Sequence, residues 1–329
     1  MSLSLKSISK FLMVCTFFMC NPEHLYSFQP SEADVVVAAD GSGDYRSIQE
    51  AIDNTKSFPY QRITIFIKNG IYKEKIKVYE WNTNLNLIGE DPQETIIAYD
   101  DYFDKIDKGR NSTFHTPTLL VDATGTIVKN IRILNTAGPV GQAIALSITA
   151  DRVKVENCAI IGNQDTVYLS GANNKIYFKN CSIQGSTDFI FGQATAVFEN
   201  CTIHSVSGSY ITAASTPKNV DYGFVFIKCT LTGSKDSKDV YLGRPWRYYA
   251  RTVFINCHMG KHINDKGWHD WNKPESHKNS YYAEYQSSGP GANSKKRVQW
   301  SHQLTESQLA NYNLEKILKS KNDKSWYLH

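Results

Sequence analysis

Short runs of apolar, β-branched and aromatic residues recur along the chain and are separated by Asn, Gly and Asp. This pattern predicts short β-strands. The predicted strands are residues 35–38, 63–68, 76–78, 85–88, 95–98, 118–121 and 126–133. The pattern continues to Phe254 without a long helical period, and no linker rich in Pro, Gly or Ser interrupts it. The chain is therefore predicted to be all-β and to form one domain.

Three segments depart from this strand pattern. Residues 47–54 predict a short capped helix that closes the N-terminal end, and residues 305–318 predict a helical tail that packs over the end or side. Residues 99–118 form a longer charged excursion, which we expect to build a binding surface. Residues 40–44 predict a turn, because they lack the Gly-Lys-Ser/Thr ending of a phosphate-binding loop.

A repeat centred on cysteine follows the strands at intervals of 23, 20, 28 and 28 residues. Its members are Cys158, Cys181, Cys201, Cys229 and Cys257. Periods of this length are typical of solenoids, in which each coil stacks on the next. The spacing predicts a column of mostly buried, reduced thiols that fill one inner corner of the solenoid.

The N-terminus has the composition of a secretory signal. Lys6 and Lys10 precede an apolar run of ten residues, which is too short to span a bilayer. We therefore expect a signal peptide at residues 1–27, with cleavage between residues 20 and 30, and a single mature domain at residues 28–329. The formal net charge of +4 is small, and it is compatible with an acidic partner.

Two acids occupy equivalent places in the repeat. Asp165 lies seven residues after Cys158, and Asp188 lies seven residues after Cys181. If the cysteines stack, the carboxylates stack as well, on strands about 4.8 Å apart. Gln142 lies another 23 residues upstream and extends the column. Acids held in this way predict an active site.

Charges about 5 Å apart repel by about 3 kcal/mol at an effective dielectric near 20, so one acid tends to stay protonated. Arg244 precedes Cys257 by 13 residues, as Asp188 precedes Cys201. We expect Arg244 to pair with Asp188 and to lower its pKa, which leaves the proton on Asp165. Taken singly, each of these residues is better explained as a solvated turn residue.

Amide and aromatic side chains near the acids have two interpretations each. Gln142 and Gln164 could donate to the oxyanion of a tetrahedral intermediate, or they could belong to a hydrogen-bond ladder within the coil. Trp246, Trp268 and the tyrosines at 281–285 could form a platform for sugar rings, or they could pack in the core.

Five motifs in order resemble those of plant pectin methylesterases, over about residues 34–326. They are residues 70–74 (GIYKE), 142–146 (QAIAL), 164–167 (QDTV), 188–192 (DFIFG) and 242–246 (LGRPW). The resemblance implies a single-stranded right-handed parallel β-helix that hydrolyses galacturonate methyl esters in pectin without a metal or an organic cofactor. It also implies secretion to the plant cell wall, a monomer, and a protein inhibitor as a possible partner. It implies no nucleic-acid or membrane partner.

Residue roles follow from the same resemblance. It implies Asp188 as nucleophile, Asp165 as proton donor and later base, and Gln142 and Gln164 at the oxyanion. Arg244 would bind substrate and hold Asp188. The substrate would also contact Trp246, Thr113 and Trp268.

Several features depart from that family's pattern. Val167 replaces a leucine, residues 115–117 (HTP) replace Ser-Ala-Thr, and His269 replaces another residue. The inhibitor-like N-terminal domain of many relatives is missing from this sequence. Of three glycosylation sequons, we expect only Asn111 to be accessible, because Asn180 and Asn200 coincide with the repeat and are predicted to be buried turns.

Other activities remain open at this point. Paired carboxylates about 5 Å apart also suit a retaining glycoside hydrolase acting on polygalacturonan. A lyase is less favoured, since no acidic cluster resembles a calcium site. A third alternative is a non-catalytic wall protein that binds pectin.

Overall fold

A computed structural model describes residues 30–273, 275–321 and 323–328. Within these residues, 26 strands form three sheets in which all paired strands are parallel. Each coil between the two ends contributes one strand to each sheet, so the chain winds into a parallel β-helix. The predicted signal peptide, residues 1–27, lies outside the described residues.

The first sheet has eleven strands among the described residues. In spatial order they are β1 (Val35–Val37), β2 (Ile63–Ile67), β5 (Leu85–Gly89), β8 (Ile127–Lys129), β11 (Val153–Glu156), β14 (Lys175–Lys179), β17 (Thr195–Glu199), β20 (Phe224–Ile227), β23 (Arg251–Ile255), β25 (Tyr281–Tyr285) and β26 (His302–Gln303).

The second sheet has seven strands in the described part of the chain, and it carries the site discussed below. In spatial order they are β22 (Tyr241–Gly243), β19 (Tyr210–Ala214), β16 (Ile190–Gly192), β13 (Val167–Leu169), β10 (Leu146–Ile148), β7 (Leu119–Val121) and β4 (Ile76–Val78).

The third sheet contains eight of the described strands and includes the repeat that follows each cysteine. In spatial order they are β24 (His258–Met259), β21 (Thr230–Gly233), β18 (Thr202–Ser205), β15 (Ser182–Gly185), β12 (Ala159–Ile161), β9 (Arg132–Asn135), β6 (Thr95–Tyr99) and β3 (Gly70–Tyr72).

The cysteine column is present as predicted. All five repeat cysteines are buried and free of disulfides, and the residues that follow them pair in one register from β12 to β24. The residue before each cysteine has a φ of +52° to +54°, in the left-handed region that Asn tolerates well. This turn directs the thiol inward, and burial raises the pKa of the Cys158 thiol.

The same turn directs the preceding side chain outward. Asn180 and Asn200 are therefore exposed, as Asn111 is, and the prediction that the first two are buried was wrong. Inside the coil, Phe178, Phe198, Phe226 and Phe254 stack on one another with ring centroids 4.4–4.7 Å apart.

Short helices lie at the ends of the solenoid. Helix α1 (Ile48–Asp53) begins after Ser47, whose side chain accepts a hydrogen bond from the Glu50 N–H, as the predicted cap requires. The tail forms α3 (Glu306–Leu309) and α4 (Leu314–Ile317), and its apolar residues pack on the outer face of the first sheet. The predicted strand at 126–133 is two strands, because Asn130 has a φ of +56°.

The charged excursion after β6 contains α2 (Phe103–Ile106) and a 3-10 segment (Gly109–His115). The other 3-10 segments are Pro30–Glu32, Ser276–Lys278 and Ser294–Lys296. None of the helices in the described ranges is long and apolar enough to cross a membrane.

Candidate active site

The two predicted acids lie on adjacent coils in equivalent positions. Asp165 lies in the turn just before β13, and Asp188 lies in the turn just before β16. Both residues have a positive φ, +62° and +49° respectively. The Asp165 N–H donates to the Thr187 carbonyl at 3.0 Å, which joins the two turns directly. The coil-to-coil register predicted from the cysteine spacing is thereby confirmed for these turns, and both side chains face the same cleft.

Arg244 holds Asp188 through two hydrogen bonds. Its Nε donates to Oδ1 at 2.9 Å, and its terminal nitrogen donates to Oδ2 at 2.6 Å. The guanidinium is also stacked between two aromatic rings, with its carbon 3.8 Å from the Tyr210 centroid and 3.7 Å from the Trp271 centroid. A bidentate pair clamped between two rings has little freedom to rotate, so the orientation of the Asp188 carboxylate is fixed.

The two acids differ in how their charge is compensated. Burial raises the pKa of Asp165 well above its usual range, and the charge of Asp188 raises it further. Burial also raises the pKa of Asp188, but the Arg244 hydrogen bonds and charge oppose this effect. The net lowering of the Asp188 pKa expected from sequence was wrong, because burial outweighs the guanidinium. The predicted order survives: Asp165 is the stronger candidate to hold the proton.

Gln164 directly precedes Asp165 on the same coil, and Gln142 continues the column on the preceding coil. Their backbones form an isolated parallel bridge, and both side chains line the cleft. Among the described residues, no hydrogen bond links either side-chain amide to another protein group. The ladder alternative therefore has no support in the geometry, and both amides are available as donors to a bound molecule.

The motif at residues 188–192 ends in Gly192, a position where the fold requires glycine. Gly192 has a φ of +126°, and a Cβ there would lie 2.0 Å from the Leu169 carbonyl oxygen on the adjacent strand. A side chain at this position would separate β13 from β16. Gly192 thus preserves the spacing between the strands that follow the two acids.

An open cleft of about 320 Å³ joins these groups, a size at the lower end of the range of about 300–1,000 Å³ common for ligand sites. Thr113 and Trp246 line it, as predicted. The complete lining is Arg110, Thr113, Phe114, Gln142, Gln164, Asp165, Asp188, Phe191, Ala213, Arg244, Trp246 and Trp271.

Apolar residues form the floor of this cleft. Tyr168, Phe191 and Ala213 pair in register across β13, β16 and β19, and the Tyr168 and Phe191 ring centroids are 4.8 Å apart. Trp246 lies beside Phe191, with their ring centroids 5.9 Å apart. Aromatic faces beside hydrogen-bonding groups suit sugar rings, which have both apolar and hydroxyl surfaces.

Trp268 does not take part in the site. It is only 1% exposed, and its ring stacks on Tyr282 in the core at a centroid distance of 4.5 Å. The prediction that it contacts substrate was wrong, because the backbone directs Trp268 inward and Trp271 outward. The Trp271 N–H donates to Nδ1 of His269, which helps to place the ring over Arg244.

The sequence also gave no grounds to single out Trp271, Arg110 or Phe114. Trp271 belongs to the same short aromatic segment as Trp268, and only the loop conformation distinguishes them. Arg110 and Phe114 lie in the charged excursion that was predicted to build the binding surface. That prediction locates their segment but not the two residues.

Comparisons with known proteins identify the family of this chain. The pectinesterase family model matches residues 34–321. The chain belongs to the pectinesterase family. It is 36% identical over 300 residues to pectinesterase 31 of Arabidopsis thaliana, covering 89% of this chain and 94% of that one. It is 37% identical over 290 residues to a pectinesterase of Petunia integrifolia, covering 84% and 76% of the two chains.

This chain is also similar to solved structures of pectin methylesterases. The pectin methylesterase from carrot matches with a TM-score of 0.81 and 33% identity, covering 87% of this chain and 93% of that one. A pectin methylesterase in complex with a hexasaccharide matches with a TM-score of 0.75 and 28% identity, covering 87% and 97%. These pectinesterase structures confirm the predicted right-handed parallel β-helix.

The arrangement provides the groups needed for acyl transfer. The oriented Asp188 carboxylate lies beside Asp165, whose pKa is raised, and the unpaired amides of Gln164 and Gln142 line the same cleft. These groups can act as nucleophile, proton donor and oxyanion donors. In the described part of the chain, no group of three or more His, Cys, Asp or Glu side chains is placed to hold a metal ion.

Proposed function

We propose that this pectinesterase hydrolyses galacturonate methyl esters in pectin and releases methanol and de-esterified pectin. The observation that carries the proposal is the clamped Arg244–Asp188 pair beside Asp165, whose pKa is raised by burial, in one open cleft. Family membership adds support, because relatives that cover most of the chain are named pectinesterases. The catalytic domain is proposed to extend over residues 28–329.

In the first step, the ionised Asp188 forms a bond from a carboxylate oxygen to the ester carbonyl carbon. The amides of Gln142 and Gln164 donate to the negative oxygen of the tetrahedral intermediate, and one such donor is typically worth about 3 kcal/mol. The bond to the methoxy oxygen then breaks, and Asp165 transfers its proton to that oxygen. Methanol leaves, because a neutral alcohol departs more readily than methoxide.

In the second step, water attacks the acyl-enzyme. Asp165, now ionised, takes a proton from the water as its oxygen bonds to the acyl carbon. The bond to the Asp188 oxygen breaks, which restores the Asp188 carboxylate and the protonated Asp165. Arg244 stabilises the carboxylate whenever it is free, and Thr113 and Trp246 contact the sugar.

The direct test measures two products from highly methylated pectin. We expect the purified protein to release methanol without forming new reducing ends. A glycoside hydrolase would produce reducing ends without methanol, and a non-catalytic binding protein would produce neither while still binding pectin. Either result would contradict the proposal.

The cellular setting is part of the proposal. Residues 1–27 are proposed to direct secretion to the plant cell wall, and a protein inhibitor of pectinesterases is a candidate partner of the monomer. The composition of the N-terminus supports secretion, since basic residues precede an apolar run of ten. Sequencing the N-terminus of protein recovered from the wall would test this: an uncleaved N-terminus would contradict it.

A further inference from the structure

One positive charge in the cleft has no acidic partner. Arg110 lines the cleft beside Thr113 and Phe114, and its side chain is exposed. Among the described residues, its guanidinium takes part in none of the ion pairs or hydrogen bonds, whereas Arg244 is fully engaged with Asp188. Burial and the charge of Asp188 raise the pKa of the other acid of the cleft, Asp165. Arg110 is thus available to an anion that enters the cleft.

The segment that carries Arg110 is held in place by hydrogen bonds. The Ser112 hydroxyl accepts from the Lys108 N–H and donates to the Gly109 carbonyl, both at 2.8 Å. The Thr116 hydroxyl donates to the Thr113 carbonyl at 2.7 Å and accepts from the Ile144 N–H at 2.9 Å. These bonds tie the 3-10 segment to the coil that carries Gln142, so the backbone at Arg110 has a fixed place relative to the catalytic column.

The chemistry of the substrate indicates what Arg110 binds. Under the proposed function, the reacting galacturonate carries a methyl ester and is neutral. Other galacturonates of the same chain carry either an ester or a free carboxylate. A guanidinium pairs with a carboxylate through two parallel hydrogen bonds, but it gains little from a neutral ester.

We propose that Arg110 recognises the free carboxylate of a galacturonate next to the one that reacts. This inference rests on the proposed function and makes Arg110 a residue that determines specificity. The favoured substrate is then a partly de-esterified stretch of pectin, in which an ester lies beside an acid. Earlier turnover of a neighbouring ester would create such a stretch.

The test compares Arg110→Gln with the unaltered protein on two homogalacturonans, one fully methylated and one about half methylated. An exposed charged contact is worth up to about 1 kcal/mol, or about 5-fold. We therefore expect the ratio of kcat/KM on the half-methylated polymer to that on the fully methylated polymer to fall about 5-fold. Fully de-esterified polygalacturonate should also inhibit the variant about 5-fold less strongly.

Arg46→Gln is the matched control. Arg46 is exposed immediately before α1 and outside the cleft lining, and its loss changes the net charge of the protein equally. If Arg46→Gln lowers the ratio as much, the effect is general electrostatic attraction and the inference fails. It also fails if Arg110→Gln lowers kcat/KM equally on both polymers, or changes neither ratio nor inhibition. Methanol release by the unaltered protein tests the proposed function separately.

Discussion

At the scale of single residues, Asp165 and Asp188 show how neighbours differentiate identical side chains. Both have the same backbone conformation, both lie on consecutive coils, and burial raises both pKa values. Only Asp188 has a guanidinium bonded to its two oxygens. Under the proposed mechanism, that single contact assigns the role of nucleophile to Asp188 and the role of proton donor to Asp165.

Burial of Asp165 leads to a prediction about stability. Its folded pKa is raised, so the folded protein binds a proton more tightly there than the unfolded chain, whose pKa is about 3.9. The stability that this proton contributes is present below about pH 4 and is lost as the pH rises through the folded pKa. Asp165→Asn removes this loss, and Asn tolerates the same positive φ.

We therefore expect Asp165→Asn to be more stable than the unaltered protein at pH 7, by about 1 kcal/mol or about 2 °C in Tm. The difference should disappear near pH 3. Methanol release should fall by about 10²- to 10⁴-fold, the usual contribution of a general acid and base. Thermal unfolding at both pH values measures the first effect. Equal Tm values at pH 7 would contradict the assignment of the proton to Asp165.

At the scale of elements, the loop after β24 places two tryptophans in opposite environments. Trp268 packs on Tyr282 in the core, whereas Trp271 covers Arg244 at the cleft. Trp271 and the next residue, Asn272, both have a positive φ, +61° and +54°. Such values are uncommon for Trp, so no propensity read from the sequence would have indicated this turn.

Substitution of the two tryptophans by alanine should have opposite effects on stability and activity. Trp268→Ala should lower the free energy of unfolding by about 3–5 kcal/mol, because it leaves a cavity in the core. Trp271→Ala should change that energy much less, but it should lower kcat by about 5- to 30-fold, which corresponds to about 1–2 kcal/mol of stacking on Arg244. Denaturant unfolding and methanol release on both variants measure the contrast. A larger loss of stability in Trp271→Ala than in Trp268→Ala would contradict this account.

At the scale of the whole molecule, the solenoid makes long-range geometry readable from sequence. Each coil repeats the last, so the offset of seven residues from Cys158 to Asp165 and from Cys181 to Asp188 becomes a spatial column. Side chains from non-repeating segments cannot be placed in space from sequence offsets. Arg110 and Trp271 reach the cleft from loops of unique shape, and the balance of burial against Arg244 depends on packing that no spacing reveals.

The buried cysteine column also predicts how the whole molecule behaves. All five repeat thiols are buried and unpaired in the described structure. We expect Tm to be the same with and without a reducing agent, because no disulfide among these five restrains the unfolded chain. A thiol reagent should label them only after denaturation. A drop in Tm of several degrees under reducing conditions would indicate a disulfide and contradict the column of free thiols.

The most direct test of the central claim is methanol release by Asp188→Asn. Asparagine keeps the size and the tolerated backbone conformation of Asp188, but it cannot act as the attacking carboxylate. We expect release from methylated pectin to fall below detection while the β-rich circular dichroism spectrum stays unchanged. Near-normal methanol release by the folded variant would contradict Asp188 as the nucleophile and with it the proposed mechanism.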